Sequence, residues 1–230
     1  MTKRRSGAGW NADRLQGQKA AFTLAEVWQL SDWLAAECRW HDLALLSLAN
    51  DSLLRCEDLL ALRVRDLHYR DGAMRSIIGR KQGKTKRGVH PALTEQTKIN
   101  LCCWLTFSGK QPQHFLFTRT KAIDAPPISR MQYARLIKSW AAHLGQPPEE
   151  YSTHSLRRTK PQHLFWEAEA KGQGERMLVL LSKLLGHKSV DVTTEYLGIT
   201  QRRATAVTLA HPMVKAAPVA LRPTRKSPKF

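Results

Sequence analysis

Thr153-His154-Ser155-Leu156-Arg157-Arg158-Thr159, and later Leu184-Leu185-Gly186-His187 running on to Thr194-Glu195-Tyr196-Leu197-Gly198, are the stretches that decide the reading of this chain. In a helix, His154 and Arg157 are three apart and share a face. A hydrogen-bonding imidazole and a guanidinium fork that point the same way suit the non-bridging oxygens of a phosphate. Taken singly, a His three residues before an Arg is usually a solvated helix edge. Tyr196 stands nine residues after His187. A lone tyrosine is more often a packing residue, and a phenol of pKa about 10 is a poor nucleophile unless cations or a base lie close.

Upstream, Leu54-Arg55-Cys56-Glu57-Asp58-Leu59 places Arg55 and Asp58 at helical spacing, where Asp58 is expected to hold Arg55 in position. The bland alternative is a surface ion pair worth under about 1 kcal/mol. Gly79-Arg80-Lys81-Gln82-Gly83-Lys84-Thr85-Lys86-Arg87 reads as a basic hairpin turn. Such a turn can contact DNA and deliver one ammonium into a cleft as a proton donor.

The 230 residues are 42% hydrophobic, enough for a packed core, and carry a net charge of +18. That excess predicts a polyanionic partner, because each phosphate neutralised releases counterions. Nucleic acid is favoured over an anionic membrane surface, since no apolar run approaches the ~20 residues of a spanning helix. Met1 to Gly9 lacks the hydrophobic stretch of a signal peptide. Cys38, Cys56, Cys102 and Cys103 form no CxxC pair and are expected to be buried thiols in a reducing cytosol.

Residues 1–22 read as a basic arm. Residues 213–230, with Lys215, Arg222, Arg225, Lys226 and Lys229, read as a basic flexible tail. Between them lies a mostly helical body. Thr23 and Glu26 form a capping box ahead of Leu24, Val27, Leu30 and Leu34. Leu43–Leu48 is a second apolar helix, and a helical stripe is expected to run from Leu53 through Val64. Met74–Ile78 reads as a strand and Gly88–Pro91 as its return. Helices follow at Thr94–Phe107, Ser129–His143, His154–Ala168 and Arg176–Leu185, with a short segment through Tyr196 and a last helix at Thr200–Leu209. The predicted fold is mainly α with a small antiparallel β-sheet.

Each motif alone is unspecific, but Arg, then Lys on a hairpin, then HxxR, then LGH, then Tyr nine residues on, resembles the tyrosine recombinase (phage integrase) family. The resemblance covers roughly residues 23–212, which it marks as one catalytic domain. It implies that Arg55 and Arg157 clamp a scissile phosphate and that His154 aids proton transfer. It implies that His187 bonds a non-bridging oxygen, Lys84 protonates the 5′ leaving oxygen and Tyr196 attacks phosphorus. Lys84 is preferred because Gly83-Lys84-Thr85 resembles the family's Lys-Thr turn, although a register slip would exchange it with Lys81 or Lys86. Lys81, Lys86, Arg87, Arg158 and Lys188 are expected to contact DNA. No metal or cofactor is implied, because cations stabilise the charge on phosphorus, and no carboxylate cluster suggests a two-metal nuclease.

The implied partners are double-stranded DNA with short inverted repeats, further copies of this chain as a dimer to tetramer, and an accessory DNA-bending protein. The implied location is the cytoplasm, with the nucleoid, in a bacterial, phage or mobile-element setting. The chain departs from the family in three ways. Only about twenty residues precede the first helix, so it resembles the short members that carry the catalytic domain only. Pro161 predicts a kink or a shifted helix start, and Lys171–Gly174 predicts a loop. The alternatives are a type IB topoisomerase, or a non-catalytic DNA-binding protein that keeps the fold.

Overall fold

The structure is a computed structural model that describes residues 18–83, 87–120, 122 and 124–210. The expected arm enters it only from residue 18. Lys84 and Lys86 of the hairpin and the whole expected tail lie outside the described residues.

The elements in chain order are helices α1 (Leu24–Ala36), α2 (Trp40–Ser52) and α3 (Cys56–Leu60), strands β1 (Arg80–Lys81) and β2 (Gly88–Val89), then helices α4 (Glu95–Ser108), α5 (Arg130–His143), α6 (Thr153–Ala170), α7 (Gly174–Leu185), α8 (Val190–Tyr196) and α9 (Ile199–Ala210). Among the described residues this is a mainly α fold with one small antiparallel sheet. Local chemistry sets several boundaries. Thr23 Oγ1 accepts from Glu26 N at 3.2 Å while the Glu26 carboxylate accepts from Thr23 N at 2.7 Å, closing the capping box of α1. Ser129 and Gln132 do the same for α5.

α2 is the central helix. Leu43, Ala44, Leu45, Leu46, Leu48 and Ala49 are all buried around it, because α1, α4 and α6 pack on its different faces. The main apolar cluster gathers these residues with Leu30, Leu34, Leu101, Phe117, Ile137, Trp140 and Leu156. A second cluster joins Phe165, Leu178, Leu181, Leu197 and Ile199. α6 belongs to both, through Leu156 in its first half and Phe165 in its second, and so holds the last three helices against the body. A fully buried Leu or Phe contributes about 1.5–3 kcal/mol, so each anchor matters.

Several expectations are corrected. The stripe from Leu53 to Val64 is interrupted. Leu53 adopts a left-handed backbone, φ 51°, that ends α2, and α3 spans only Cys56–Leu60. Met74–Ile78 forms isolated bridges, His68↔Met74 and Ile77↔Ala92, while the ladder pairs Arg80 with Val89 and Lys81 with Gly88. Pro91 has no N–H to extend the ladder, and in residues 74–78 only Ile78 is buried. Pro161 neither starts nor ends a helix but lies inside α6, where it is buried. The cysteines are free, yet Cys38, Cys102 and Cys103 are exposed and Cys56 is half-buried, because the apolar face of α4 is formed by Leu101 and Trp104. Among the described residues no helix is long and apolar enough to cross a membrane.

Candidate active site

α6 begins where Ser152 Oγ accepts from His154 N at 3.3 Å and Ser155 Oγ accepts from Ser152 N at 2.9 Å. This cap sets His154 in the first turn, at the surface, and Arg157 one turn on, where it is 3% exposed. Arg157 Nε donates to the Leu53 carbonyl at 2.6 Å, and Nη2 donates to the Leu185 carbonyl at 2.8 Å. Both carbonyls belong to helix C-termini, which lack intrahelical partners and carry partial negative charge. One guanidinium thereby ties the end of α2 to the end of α7. The left-handed turn at Leu53 is what presents its carbonyl there.

Arg55 is the N-cap of α3 and is half-buried. Its Nη1 donates to Gln82 Oε1, and Gln82 Nε2 donates to the same Leu185 carbonyl at 3.2 Å. Gln82 is 1% exposed. It links Arg55, the hairpin and α7, a role that the sequence reading missed. The alternation of a hairpin, which turns position 82 away from Lys81, was the available signal. Asp58 does not hold Arg55. Among the described residues no ion pair joins them, and Asp58 Oδ1 instead accepts from Gly83 N at 2.9 Å, because the N-cap geometry turns Arg55 toward the hairpin. Asp58 positions the turn that precedes Lys84.

Gly186 closes α7 with φ 64°, and a Cβ there would meet Val89 Cγ1 at 2.8 Å and Gln82 Nε2 and Oε1 at 3.0 Å. The glycine therefore serves both the helix cap and the close approach of the hairpin. His187 follows directly. Its Nδ1 is 3.0 Å from Thr193 Oγ1, which is itself 3.3 Å from the Ser189 carbonyl. Thr193 has one hydroxyl proton. Given to the Ser189 carbonyl, it leaves Oγ1 to accept from Nδ1–H; given to Nδ1, it leaves the proton of the ring on Nε2, the tautomer that can donate elsewhere.

Tyr196 ends α8 among these groups. Its ring centroid lies 5.1 Å from His187 and 6.2 Å from His154, both edge-on, and the Arg157 guanidinium carbon is 5.4 Å from it. The hydroxyl is buried and forms no hydrogen bond of ordinary geometry. Burial pushes the phenol above its usual range, and the charges of Arg157, Arg158 and Arg55 pull against that. Burial, together with Arg157 and Arg55, holds His187 down to about 4, and burial with Arg157, Arg130, Arg158 and Arg55 lowers His154. Both imidazoles are therefore neutral near pH 7.

Of the residues expected to face DNA, Lys81, Arg87 and Lys188 are exposed, and Arg87 Nη1 also donates to the His187 carbonyl at 2.9 Å. Arg158 is corrected. It is 2% exposed and points into the protein, because α6 turns the position after Arg157 inward. Arg55, Arg157, His154, His187 and Tyr196 come together as the motif order implied, while the Lys84 assignment lies outside the described residues. Two guanidinium groups and two neutral imidazoles around a phenol can hold a phosphoryl group and move a proton at its oxygen.

The family model described as the phage integrase family matches residues 22–203. The chain is 27% identical over 180 residues to tyrosine recombinase XerD of Rickettsia conorii, covering 75% of this chain and 56% of that protein. It is 28% identical over 161 residues to the probable integrase/recombinase YoeC of Bacillus subtilis, covering 70% of this chain and 79% of that one. It thus spans little more than half the length of the Rickettsia relative. Among solved structures, XerH recombinase bound to difH substrate superposes with a TM-score of 0.60 at 18% identity, covering 86% of this chain and 56% of XerH. A lambda integrase dimer bound to a core site superposes with a TM-score of 0.53 at 17% identity, covering 81% of this chain and 62% of that one. With the ordered motifs gathered around one tyrosine and a family match across most of the length, this chain belongs to the phage integrase family.

Proposed function

We propose that this protein cleaves and rejoins duplex DNA as a tyrosine-type site-specific recombinase. The observation that carries the reading is the convergence of Arg157, His154 and His187 on Tyr196, with Arg55 tied into the same framework through Gln82 and the Leu185 carbonyl. Arg55 and Arg157 hold the non-bridging oxygens of the scissile phosphate, and His187 adds a hydrogen bond from Nε2. As Tyr196 Oη gives its proton to His154, the oxygen bonds to phosphorus and the bond to the 5′ oxygen breaks. Lys84 protonates that leaving oxygen. The product is a 3′-phosphotyrosine and a free 5′ hydroxyl, and rejoining is the reverse. Negative charge gathers on phosphorus in the transition state. Removing one preorganised donor from such a site typically costs about 10²-fold or more in rate.

Residues 23–212 form the catalytic unit in this reading, with residues 1–22 and 213–230 adding charge for the backbone of DNA. The substrate is double-stranded DNA with short inverted repeats, bound by a dimer to tetramer with help from a DNA-bending protein, in the cytoplasm with the nucleoid. The test uses duplexes built from inverted repeats in the DNA flanking the gene, nicked so that the leaving fragment diffuses away. A covalent protein–DNA adduct on a denaturing gel is expected from the wild type and not from Tyr196→Phe. No adduct from the wild type, or one that persists in Tyr196→Phe, refutes the reading. Efficient relaxation of any supercoiled plasmid by a monomer would point to topoisomerase chemistry instead.

A further inference from the structure

Arg158 is the one member of the His154–Thr159 stretch whose surroundings the proposed reaction leaves unexplained. Its side chain is 2% exposed, and two of its nitrogens, Nε and Nη2, are buried without a hydrogen-bond partner in the protein. Among the described residues no carboxylate forms an ion pair with it. Its neighbour Arg157 has the corresponding nitrogens committed to the Leu53 and Leu185 carbonyls. A buried guanidinium left without a counter-charge is costly, and such groups are kept where they meet an anion.

Helical geometry says which anion. Residues 154, 158 and 162 lie one turn apart on one face of α6. At one end the His154 ring lies 6.2 Å from the Tyr196 ring. At the other, Gln162 Nε2 donates to the carbonyl of Leu197, the next residue, at 2.7 Å. Arg158 lies between them and its charge acts on Tyr196, whose hydroxyl is buried and has Arg157 on its other side. The charged and titratable groups around this phenol are His154, Arg157 and Arg158 from α6, Arg55 from the α3 cap and His187 from the turn before α8. Arg202 of α9 adds its charge beside Arg158. Asp58 of α3 is the acid that acts on this group, through Arg157.

We propose that Arg158 is a positioning residue for Tyr196, a fixed, water-excluded cation that stabilises the negative charge its oxygen acquires as the proton leaves. In the step described above, the Oη proton passes to His154, an Oη lone pair forms the bond to phosphorus, and the bonding pair of the broken P–O bond departs with the 5′ oxygen. Arg158 makes and breaks no bond. It acts on the oxygen before attack, while Arg55 and Arg157 serve the phosphate. The use of this charge rests on the recombinase reading, but the charge effect itself is measurable without DNA.

The experiment is a pH titration of the full chain, labelled with 3-fluorotyrosine and followed by fluorine NMR. The chain has four tyrosines, and Tyr196→Phe identifies the signal of interest. Arg158→Met is expected to move the Tyr196 midpoint up by about one pH unit, a tenfold fall in its ionisation constant, while Arg158→Lys stays within a few tenths of the wild type. A thermal melt checks folding, and Arg158→Gln supplies the same comparison should the Met variant not fold. An unchanged midpoint in a folded Met or Gln variant overturns the proposal, as does an equal shift in Arg158→Lys. Failure of the wild type to form the DNA adduct would overturn the recombinase reading alone and leave the titration result standing.

Discussion

Gly186→Ala separates backbone strain from the contact that holds the site together. Gly172 and Gly186 share nearly the same left-handed backbone, φ 68° and 64°, but nothing lies within 4 Å of a Cβ built at Gly172. An alanine at either position pays the left-handed penalty of about 1–2 kcal/mol. At Gly186 the methyl also meets Val89 Cγ1 at 2.8 Å and both terminal atoms of Gln82 at 3.0 Å, and these residues are 3% and 1% exposed. Neither neighbour has free space, so overpacking adds about 1–3 kcal/mol. Urea denaturation should therefore show Gly172→Ala losing about 1–2 kcal/mol and Gly186→Ala losing about 2–5. Function should split further. Displacing Gln82 releases Arg55 Nη1 and one of the two donors on the Leu185 carbonyl. Adduct formation on the nicked duplex should fall on the order of tenfold to a hundredfold in Gly186→Ala, equivalent to about 1.4–2.8 kcal/mol of barrier, and stay unchanged in Gly172→Ala. Equal stability losses and equal adduct rates for the two variants would refute the argument that Gln82 bridges the hairpin to Arg55.

Arg157→Ala removes the donor to Leu53 and Leu185 and should lose about 2–4 kcal/mol in urea melts as well as all adduct formation; a variant as stable as wild type would show that the α2–α7 tie is dispensable. His187 has a folded pKa of about 4 against about 6.5 when unfolded, so the unfolded state binds more protons between those values. Stability should be full above pH 6.5 and decline as pH falls toward 4, with His154 adding in the same direction, and His187→Asn should flatten that slope in urea midpoints measured across the window. Lys81→Ala and Lys188→Ala, both at exposed positions, should each reduce the slope of log Kobs against log salt for DNA binding by about one. Arg158→Met should leave that slope unchanged, and a drop there would contradict its burial.

The helices were legible because their signals are local. The Thr23–Glu26 box and the Ser129 cap both hold in the structure, since a cap needs only residues three apart. The Met74–Ile78 strand failed for the converse reason. Strand pairing depends on the partner, and Pro91 on the return segment cannot donate. The site divides the same way. The order Arg55, His154, Arg157, His187, Tyr196 was visible in the chain because residue type, order and spacing are properties of the sequence itself. Hairpin alternation could turn Gln82 inward but could not name its partner, a carbonyl 103 residues away.

What the sequence by itself determined was the mainly helical body, its caps and the residues that could carry phosphoryl chemistry. What each buried guanidinium meets was a tertiary decision. Arg157 and Arg158 are adjacent and chemically identical, yet one grips the ends of two helices and the other is buried with donors unspent, its charge acting on Tyr196. The tertiary structure also decided that Asp58 serves the hairpin rather than Arg55, and that Leu53 takes a left-handed backbone. The physical reason is common to all of these. A buried polar group must find its partner wherever packing brings one, and packing joins α2, α6, α7 and the hairpin at one point that no local pattern specifies.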